Sequence, residues 1–184
     1  MMTARTSLSH PLQIAEVTAP GAMGGIGITF CPGKKQPDAL TGAWDRDLGI
    51  DLDAIRAWGA STVITLVEAH ELEELGVTDL GTEVRARGLD WLHLPIGDFS
   101  PPDQRFATAF AAHRDRLCSE IRSGARVLVH CKGGLGRAGT VAALLLIDLG
   151  TRPDEAIRAV RNVRKGAIET PGQEVYVRAH GPML

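Results

Sequence analysis

The chain of 184 residues has few cysteines and few aromatic residues, and neither sign of charge predominates. Its three cysteines are odd in number and widely spaced, which excludes a disulfide framework and a C-x-x-C metal or redox motif. The formal net charge is −2, and its acids and bases are interspersed, so nothing in the charge predicts a nucleic acid or an anionic membrane as partner. The six histidines are scattered, so no metal site is predicted.

Long apolar runs are absent as well. The longest one, Val141–Ile147, is far shorter than the ~20 residues that span a bilayer. The first twenty residues lack the apolar segment that a signal peptide needs, and we therefore expect a cytoplasmic protein. The same segment is rich in Ser, Thr, Ala and Pro without periodicity. This composition predicts a flexible lead-in over residues 1–20 and a single domain over residues 21–184.

Segments of strand character alternate along the chain with segments of helical periodicity. The predicted strands are Ile26–Phe30, Thr62–Val67, Trp91–Ile96 and Val127–Val129. The predicted helices are Leu52–Trp58 after the cap Asp51, Glu68–Leu75, Asp79–Arg87, Ser100–Arg122, Val141–Leu149, Pro153–Arg164, and a last short helix that begins with a capping box of Thr170 and Gln173. Strands separated by helices predict an α/β fold with a central, mainly parallel sheet flanked by helices on both faces.

One stretch, VLVHCKGGLGRAGT at residues 127–140, combines a strand, a glycine-rich loop and the start of a helix. Such a loop binds anions, because the first N–H groups of the helix have no partners and the helix dipole is positive there. Cys131 begins the loop, and its position beside a helix start and an arginine favours the nucleophilic thiolate. Arg137 ends the loop with a planar fork that suits two phosphate oxygens. We expect a phosphate to bind at Lys132, Gly133, Gly134, Leu135, Gly136 and Arg137.

The segment HCKGGLGR resembles the H-C-x5-R signature of the cysteine-dependent protein phosphatases. Together with ITFCPGKK upstream and GAIETPGQEVY downstream, it is most similar to the cyclin-dependent-kinase-inhibitor-3-like branch of the dual-specificity phosphatases. The resemblance spans residues 26–176. It implies that residues 21–184 form a phosphatase-like catalytic domain that needs no cofactor. The implied reaction is hydrolysis of a phosphorylated protein or another phosphomonoester through a phosphocysteine on Cys131.

The resemblance also implies roles for two residues outside this loop. Asp98, in the segment PIGDFSPPD after a predicted strand, lies where the family has its general acid, which protonates the leaving oxygen. Gln173 matches the family glutamine that positions the hydrolytic water. Each residue also has an ordinary structural explanation, because Asp98 suits a turn and Gln173 belongs to the predicted capping box.

Two other functions remain open from the sequence. Where the family has a Ser or Thr hydroxyl that stabilises the departing thiolate, this chain has Ala138, which leaves room for a phosphate-recognition module with little turnover. The G-x-G-x-x-G pattern at residues 134–139 also fits a dinucleotide-binding oxidoreductase. That function needs an acid about twenty residues further on, at the end of a strand. The nearest acids, Asp154 and Glu155, read as the first turn of a helix.

The remaining basic residues are expected to be mostly solvated, although Lys34 and Lys35 could also help attract a phosphorylated substrate. Lys34 and Lys35 follow Cys31 in a turn, where we expect the lysines to be solvated and the cysteine to pack in the core. A basic cluster near the end of a predicted helix is expected to form a mostly solvated face: Arg158, Arg161, Arg164 and Lys165.

Overall fold

The computed structural model describes residues 3–182. Within this range the strands are β1 (Ala15–Val17), β2 (Gly25–Thr29), β3 (Lys35–Gln36), β4 (Trp44–Asp45), β5 (Ala60–Thr65), β6 (Asp90–His93) and β7 (Arg126–His130). The helices of the same range are α1 (Leu48–Trp58), α2 (Ala69–Glu74), α3 (Leu80–Ala86), α4 (Gln104–Arg122), α5 (Gly136–Asp148), α6 (Pro153–Val163) and α7 (Pro171–Ala179).

The main sheet has five strands in the order β1-β2-β7-β5-β6. The strands β2, β7, β5 and β6 run parallel, and β1 at one edge is antiparallel to β2. The short strands β3 and β4 pair with each other in a separate two-stranded sheet. Helix α1 packs against β5 and α3 against β6, whereas α4 and α5 pack against β7. The prediction of an α/β fold with a mainly parallel sheet flanked by helices is confirmed.

The central strand and the helix after it are buried together. The residues Val127, Leu128 and Val129 of β7 are fully buried, as expected for a strand with a neighbour on each side and helices over it. Every residue of α5 is buried as well, because this helix is apolar nearly all round. The loop between β7 and α5 is therefore anchored at both ends in the core. No helix within residues 3–182 combines the length and the apolar character needed to cross a membrane.

Two helices begin with a different cap from the predicted one. Helix α1 is capped by Asp47 instead of Asp51. Asp51 is fully buried and accepts two hydrogen bonds of 2.8 Å from the guanidinium of Arg46. Helix α4 is capped by Asp103 instead of Ser100. In both cases two residues able to cap lie close together, and the local sequence does not decide between them.

The N-terminal segment is packed against the domain, in contrast to the loosely attached lead-in that its composition predicts. Strand β1 pairs with β2, and Val17 and Ala19 are buried. The guanidinium of Arg46 donates hydrogen bonds to the carbonyls of Thr6 (3.3 Å) and His10 (2.8 Å). The strand has three residues and its partners are distant in sequence, so local periodicity does not reveal it. Residues 1–2 and 183–184 of the predicted segments lie outside the described range.

Candidate active site

The candidate site lies at the carboxyl ends of three parallel strands. His130 at the end of β7 is in register with Thr29 of β2 and with Thr65 of β5. Ligand sites in open parallel sheets form at this edge. A cavity of about 330 Å³ opens there. The predicted site residues that line it are Cys131, Lys132, Gly133, Leu135, Gly136, Arg137, Asp98 and Gln173.

His130 is fully buried beneath the loop and holds its first peptide group. The Nδ1 atom faces the carbonyl oxygen of Cys131 at 3.4 Å, so this nitrogen must carry the proton of the ring. The Nε2 atom then accepts a hydrogen bond from Thr65 Oγ1 at 2.7 Å. Burial lowers the pKa of His130 to about 4, so the ring is neutral at physiological pH. His130 is thus a structural residue and does not act as the base for Cys131.

The loop directs its carbonyl groups toward protein donors. The carbonyl of Lys132 accepts a hydrogen bond of 3.2 Å from Lys34 Nζ. The carbonyls of Gly133 and Gly134 accept hydrogen bonds of 3.0 Å from Nη2 and Nε of Arg164. Because a trans peptide carries its N–H and C=O groups on opposite sides, carbonyls held on the outside of the loop leave the N–H groups facing inward.

The N–H groups of residues 132–136 form the inner surface of the loop. Over the described part of the chain, none of these five groups donates to a protein acceptor. A run of unpartnered N–H groups at a helix start binds anions, since the groups are already oriented and lack a competing acceptor. The loop therefore has the geometry of the phosphate cradle that the sequence predicts.

The glycines of the loop are required by close packing at two positions. Gly134 has a φ of +69°, and a Cβ atom there would lie 2.5 Å from the carbonyl carbon of Thr29. A Cβ atom on Gly136 would lie 2.8 Å from Oε1 of Gln173. Gly133 faces open space, so a side chain is sterically possible there. Gly134 does not line the cavity, so its contribution to the cradle is backbone shape.

Arg137 is held by a carboxylate that sequence reasoning missed. Its Nη1 and Nη2 atoms donate to the two oxygens of Glu71 at 2.7 and 2.9 Å. Its Nη1 atom also donates to the carbonyl of Ile96 at 3.0 Å, so the bonds to Glu71 and Ile96 leave Nε–H and the second hydrogen of Nη2 available to other acceptors. Burial alone would raise the pKa of Glu71, but the hydrogen bonds from Arg137 and from the backbone of Glu68 lower it overall. The sequence held one indication of Glu71: it lies on α2, which follows β5, and the carboxyl end of β5 lies at the same edge of the sheet as the loop with Arg137.

Asp98 lies at the mouth of the cavity and contacts Arg137. Its Oδ1 atom is 3.0 Å from Arg137 Nη2, and 45% of its side chain is exposed. The next residue, Phe99, has a φ of +55° and is 63% exposed. A left-handed conformation is strained for a residue with a side chain and is often found at functional sites. The structure thus brings Asp98 to the cradle, on an exposed and strained loop.

Gln173 is engaged by hydrogen bonds at both ends of its amide. Its Oε1 atom accepts from the N–H groups of Glu169 (3.0 Å) and Thr170 (3.2 Å). Its Nε2 atom donates to the carbonyl of Ser100 at 3.1 Å. The predicted capping box with Thr170 is therefore confirmed, and the same amide links α7 to the loop that carries Asp98. The predicted role in orienting water stays a prediction.

The three cysteines differ in position. Cys131 lines the cavity. Cys31 and Cys118 are fully buried, and burial raises the pKa of Cys118 to about 11 and also raises that of Cys31. These two thiols therefore stay protonated at neutral pH, when they are poor nucleophiles. Cys31 belongs to the hydrophobic core, as predicted.

Three cations predicted to be solvated are instead built into the structure. Lys34 is 4% exposed and lines the cavity. Arg164 binds the loop carbonyls described above, and Arg161 donates to the carbonyls of Ala167 and Ile168 at 3.0 Å each. The sequence places these cations in a turn and on a helix face. Apart from the carboxylate of Glu174, which also accepts from Arg161, their acceptors are backbone atoms that composition cannot reveal.

Comparison with known proteins agrees with this geometry. The family model PTP-SAK, described as a Swiss Army Knife protein, DSP-PTPase phosphatase domain, matches residues 37–177. The dinucleotide alternative lacks its acid, because Asp154 and Glu155 lie in the first turn of α6.

Several curated relatives are 30% identical to the chain, and two of them represent the two groups of matches. Protein tyrosine phosphatase type IVA 3 of Bos taurus matches over 71% of this chain and 70% of its own length, and cyclin-dependent kinase inhibitor 3 of Rattus norvegicus over 83% and 69%. Among solved structures, kinase associated phosphatase with its catalytic-site cysteine replaced by serine superposes with a TM-score of 0.78 at 26% identity, covering 91% of this chain and 93% of that one. The chain belongs to the dual-specificity protein tyrosine phosphatase family, and the resemblance to its cyclin-dependent-kinase-inhibitor-3-like branch is confirmed.

Proposed function

We propose that this phosphatase transfers the phosphoryl group of its substrate first to Cys131 and then to water. The observation that supports this most directly is the loop after Cys131, whose five N–H groups at residues 132–136 have no acceptor within residues 3–182. These groups, together with Nε–H and the second Nη2–H of Arg137, would hold the equatorial oxygens of the phosphate. Donors fixed in advance stabilise the charge that develops on those oxygens without reorganising during the reaction.

In the first step the thiolate of Cys131 forms a bond to phosphorus while the bond from phosphorus to the leaving oxygen breaks. Asp98 gives its proton to that oxygen as general acid. In the free enzyme Asp98 is bound to Arg137 Nη2. Because the dianionic phosphate competes for the same guanidinium, we infer that substrate binding releases Asp98 toward the leaving group.

In the second step a water attacks phosphocysteine, and the bond between sulfur and phosphorus breaks with its electron pair left on Cys131. Asp98, now a carboxylate, takes the proton of the water, so that the acid is restored. Gln173 lines the cavity and orients this water once its amide leaves Ser100. With Ala138 in place of a hydroxyl, the thiolate is a poorer leaving group, so we expect the second step to be slow.

We propose a phosphorylated protein as the substrate. Leu40 is fully exposed and Phe99 is 63% exposed, and both line the cavity. An exposed apolar rim around a polar floor suits a phosphorylated side chain presented by another protein. Two of the relatives are named for kinases, which makes a phosphorylated kinase the first substrate to test.

The experiment is hydrolysis of an aryl phosphate by wild type, Cys131→Ser, Asp98→Ala and the control Cys118→Ala across pH 5–8. We expect Cys131→Ser to be inactive, Asp98→Ala to lose the basic limb of the pH profile, and the control to resemble wild type. Activity retained in Cys131→Ser contradicts the mechanism. A wild type that binds inorganic phosphate without turnover supports the recognition module instead, and Ala138→Ser is then the variant to make.

A further inference from the structure

Lys34 is a buried cation beside the nucleophile, and the mechanism above gives it no role. Its Nζ atom lies 4.3 Å from the centre of the Trp44 ring and 5.0 Å from that of Phe30. It donates one hydrogen bond, of 3.2 Å, to the carbonyl of Lys132, directly after Cys131. A buried ammonium group with a single hydrogen-bond acceptor is costly, because it has lost most of its hydration. The two aromatic rings offset part of this cost by cation–π attraction, and a nearby anion would offset more of it.

No carboxylate provides this compensation. Within residues 3–182, no Asp or Glu forms an ion pair with Lys34. The adjacent Lys35 has the opposite surroundings, since 53% of its side chain is exposed and it forms a 2.8 Å ion pair with Asp45. The charge of Lys34 is therefore unpaired and borders the cavity that Cys131 also lines.

Arg137 supplies only part of the positive charge near Cys131 in the free enzyme. Its guanidinium is bonded to both oxygens of Glu71 and lies 3.0 Å from Asp98. These two acidic side chains offset part of the positive charge that Arg137 presents to Cys131. The cations that remain uncompensated around the loop are those without ion pairs in the described residues, Lys34, Lys132 and Arg164. Of these, Lys34 is the most deeply buried, where charge acts most strongly.

The loop also lacks a hydroxyl for the sulfur. Ala138 has none, and Thr140 Oγ1 donates to the carbonyl of Gly136 at 2.7 Å. We propose that Lys34 is a positioning residue whose ammonium charge stabilises the Cys131 thiolate, both as the nucleophile and as the group released from phosphocysteine. This proposal rests on the proposed function, in which Cys131 carries the phosphoryl group.

The groups that face Lys34 give the effect a pH dependence. Burial lowers the pKa of Lys34 to about 8, the charges of Arg46 and Lys132 also act to lower it, and a thiolate on Cys131 acts to raise it. The thiolate of Cys131 and the protonated amine of Lys34 therefore favour each other. The stabilisation is present below this pKa and is lost as the pH rises through it.

The test is the rate at which iodoacetamide alkylates Cys131 in wild type, Lys34→Met and Lys35→Met between pH 5.5 and 8. Trypsin releases Cys131 in the peptide Val127–Lys132, which has no other cysteine, so mass spectrometry reports this thiol alone. Methionine keeps the length of lysine and its contacts with the rings but removes the charge. At pH 6–7 we expect alkylation about tenfold slower in Lys34→Met, the effect of one nearby charge in a partly buried site. Equal rates in the two variants overturn the proposal.

Two further readouts separate an electrostatic role from a structural one. Because replacing a buried ion pair with uncharged groups is often neutral or stabilising, and Cys131 can take up a proton when Lys34 is absent, we expect Lys34→Met to melt at or above the temperature of wild type while kcat falls and KM changes little. If Lys34→Met has a lower melting temperature and its folded molecules are alkylated as fast as wild type, the proposal is contradicted. Lys34→Gln also removes the charge, so it must behave like Lys34→Met. If Cys131→Ser still hydrolyses the substrate, the proposed function itself is wrong. An inactive Cys131→Ser with normal alkylation in Lys34→Met removes only the role of Lys34.

Discussion

A glutamine in place of Glu71 removes one charge from the buried pair with Arg137 and keeps the size of the side chain. The side chains of Glu71 and Arg137 are 5% and 2% exposed. Removing one partner from a buried pair costs about 3–5 kcal/mol of unfolding free energy. Because glutamine still accepts one hydrogen bond and Asp98 stays beside Arg137, we expect the lower end, about 3 kcal/mol. For a chain of this length the melting temperature then falls by about 6–12 °C.

The same change acts on catalysis and on the acid limb of stability. Without the two charged hydrogen bonds to Glu71, Arg137 is oriented less firmly, by the carbonyl of Ile96, Asp98 and one bond to the glutamine, and we expect kcat/KM to fall by up to about a hundredfold. The pKa of Glu71 is lowered in the fold, so its contribution is present above the unfolded pKa of about 4.3 and is lost as the pH falls through the folded pKa. The difference in unfolding free energy between wild type and Glu71→Gln should therefore become smaller as the pH falls through the folded pKa of Glu71.

Urea denaturation at pH 7 and in steps from pH 5 to pH 3 measures these stabilities, and aryl phosphate hydrolysis measures the activity. Glu74→Gln is the matched control, because Glu74 lies on the same helix and is exposed. If Glu71→Gln and Glu74→Gln unfold at the same urea concentration at pH 7, the buried pair does not hold Arg137 and the reasoning is refuted.

Three further predictions concern the loop and the histidine beneath it. Gly134→Ala should lose more than about 2 kcal/mol in urea denaturation, because of its left-handed backbone and its contact with Thr29, whereas Gly133→Ala should stay within about 0.5 kcal/mol of wild type. In stopped-flow hydrolysis wild type should show a burst of product followed by slow turnover, and Ala138→Ser should raise kcat and abolish the burst; a wild type without a burst contradicts this. Burial lowers the pKa of His130 to about 4, so between pH 7 and 5 the unfolded state binds a proton that the folded state does not. The unfolding free energy of wild type should therefore fall by about 2 kcal/mol over this range, and that of His130→Asn should not. Parallel plots of unfolding free energy against pH for the two proteins contradict this prediction.

The sequence predicts what local patterns encode. The apolar segment of β7, the glycine-rich loop and the apolar segment of α5 follow one another directly. This order predicts a strand, an anion-binding loop and a buried helix. Asp98 was found because it follows a strand whose end meets the same edge as Cys131. The capping box of Gln173 is equally local, because both partners lie within one helical turn.

The residues that the sequence did not reveal act across long separations. Glu71 meets Arg137 from 66 positions away, and Lys34 meets the carbonyl of Lys132 from 98. Arg164 binds backbone carbonyls of the loop, and a backbone acceptor leaves no trace in composition. These contacts depend on how α2, the turn after β2 and the end of α6 converge on one edge of the sheet, which only the tertiary structure defines.

The central claim, that Cys131 carries the phosphoryl group, is tested most directly by trapping the intermediate. Wild type and Ala138→Ser are mixed with an aryl phosphate, quenched in acid within the burst phase, and digested for mass spectrometry of the peptide Val127–Lys132. The account predicts a phosphorylated Cys131 in wild type, less of it in Ala138→Ser, and none in Cys131→Ser. Product release by wild type without any phosphorylated Cys131 peptide would contradict it.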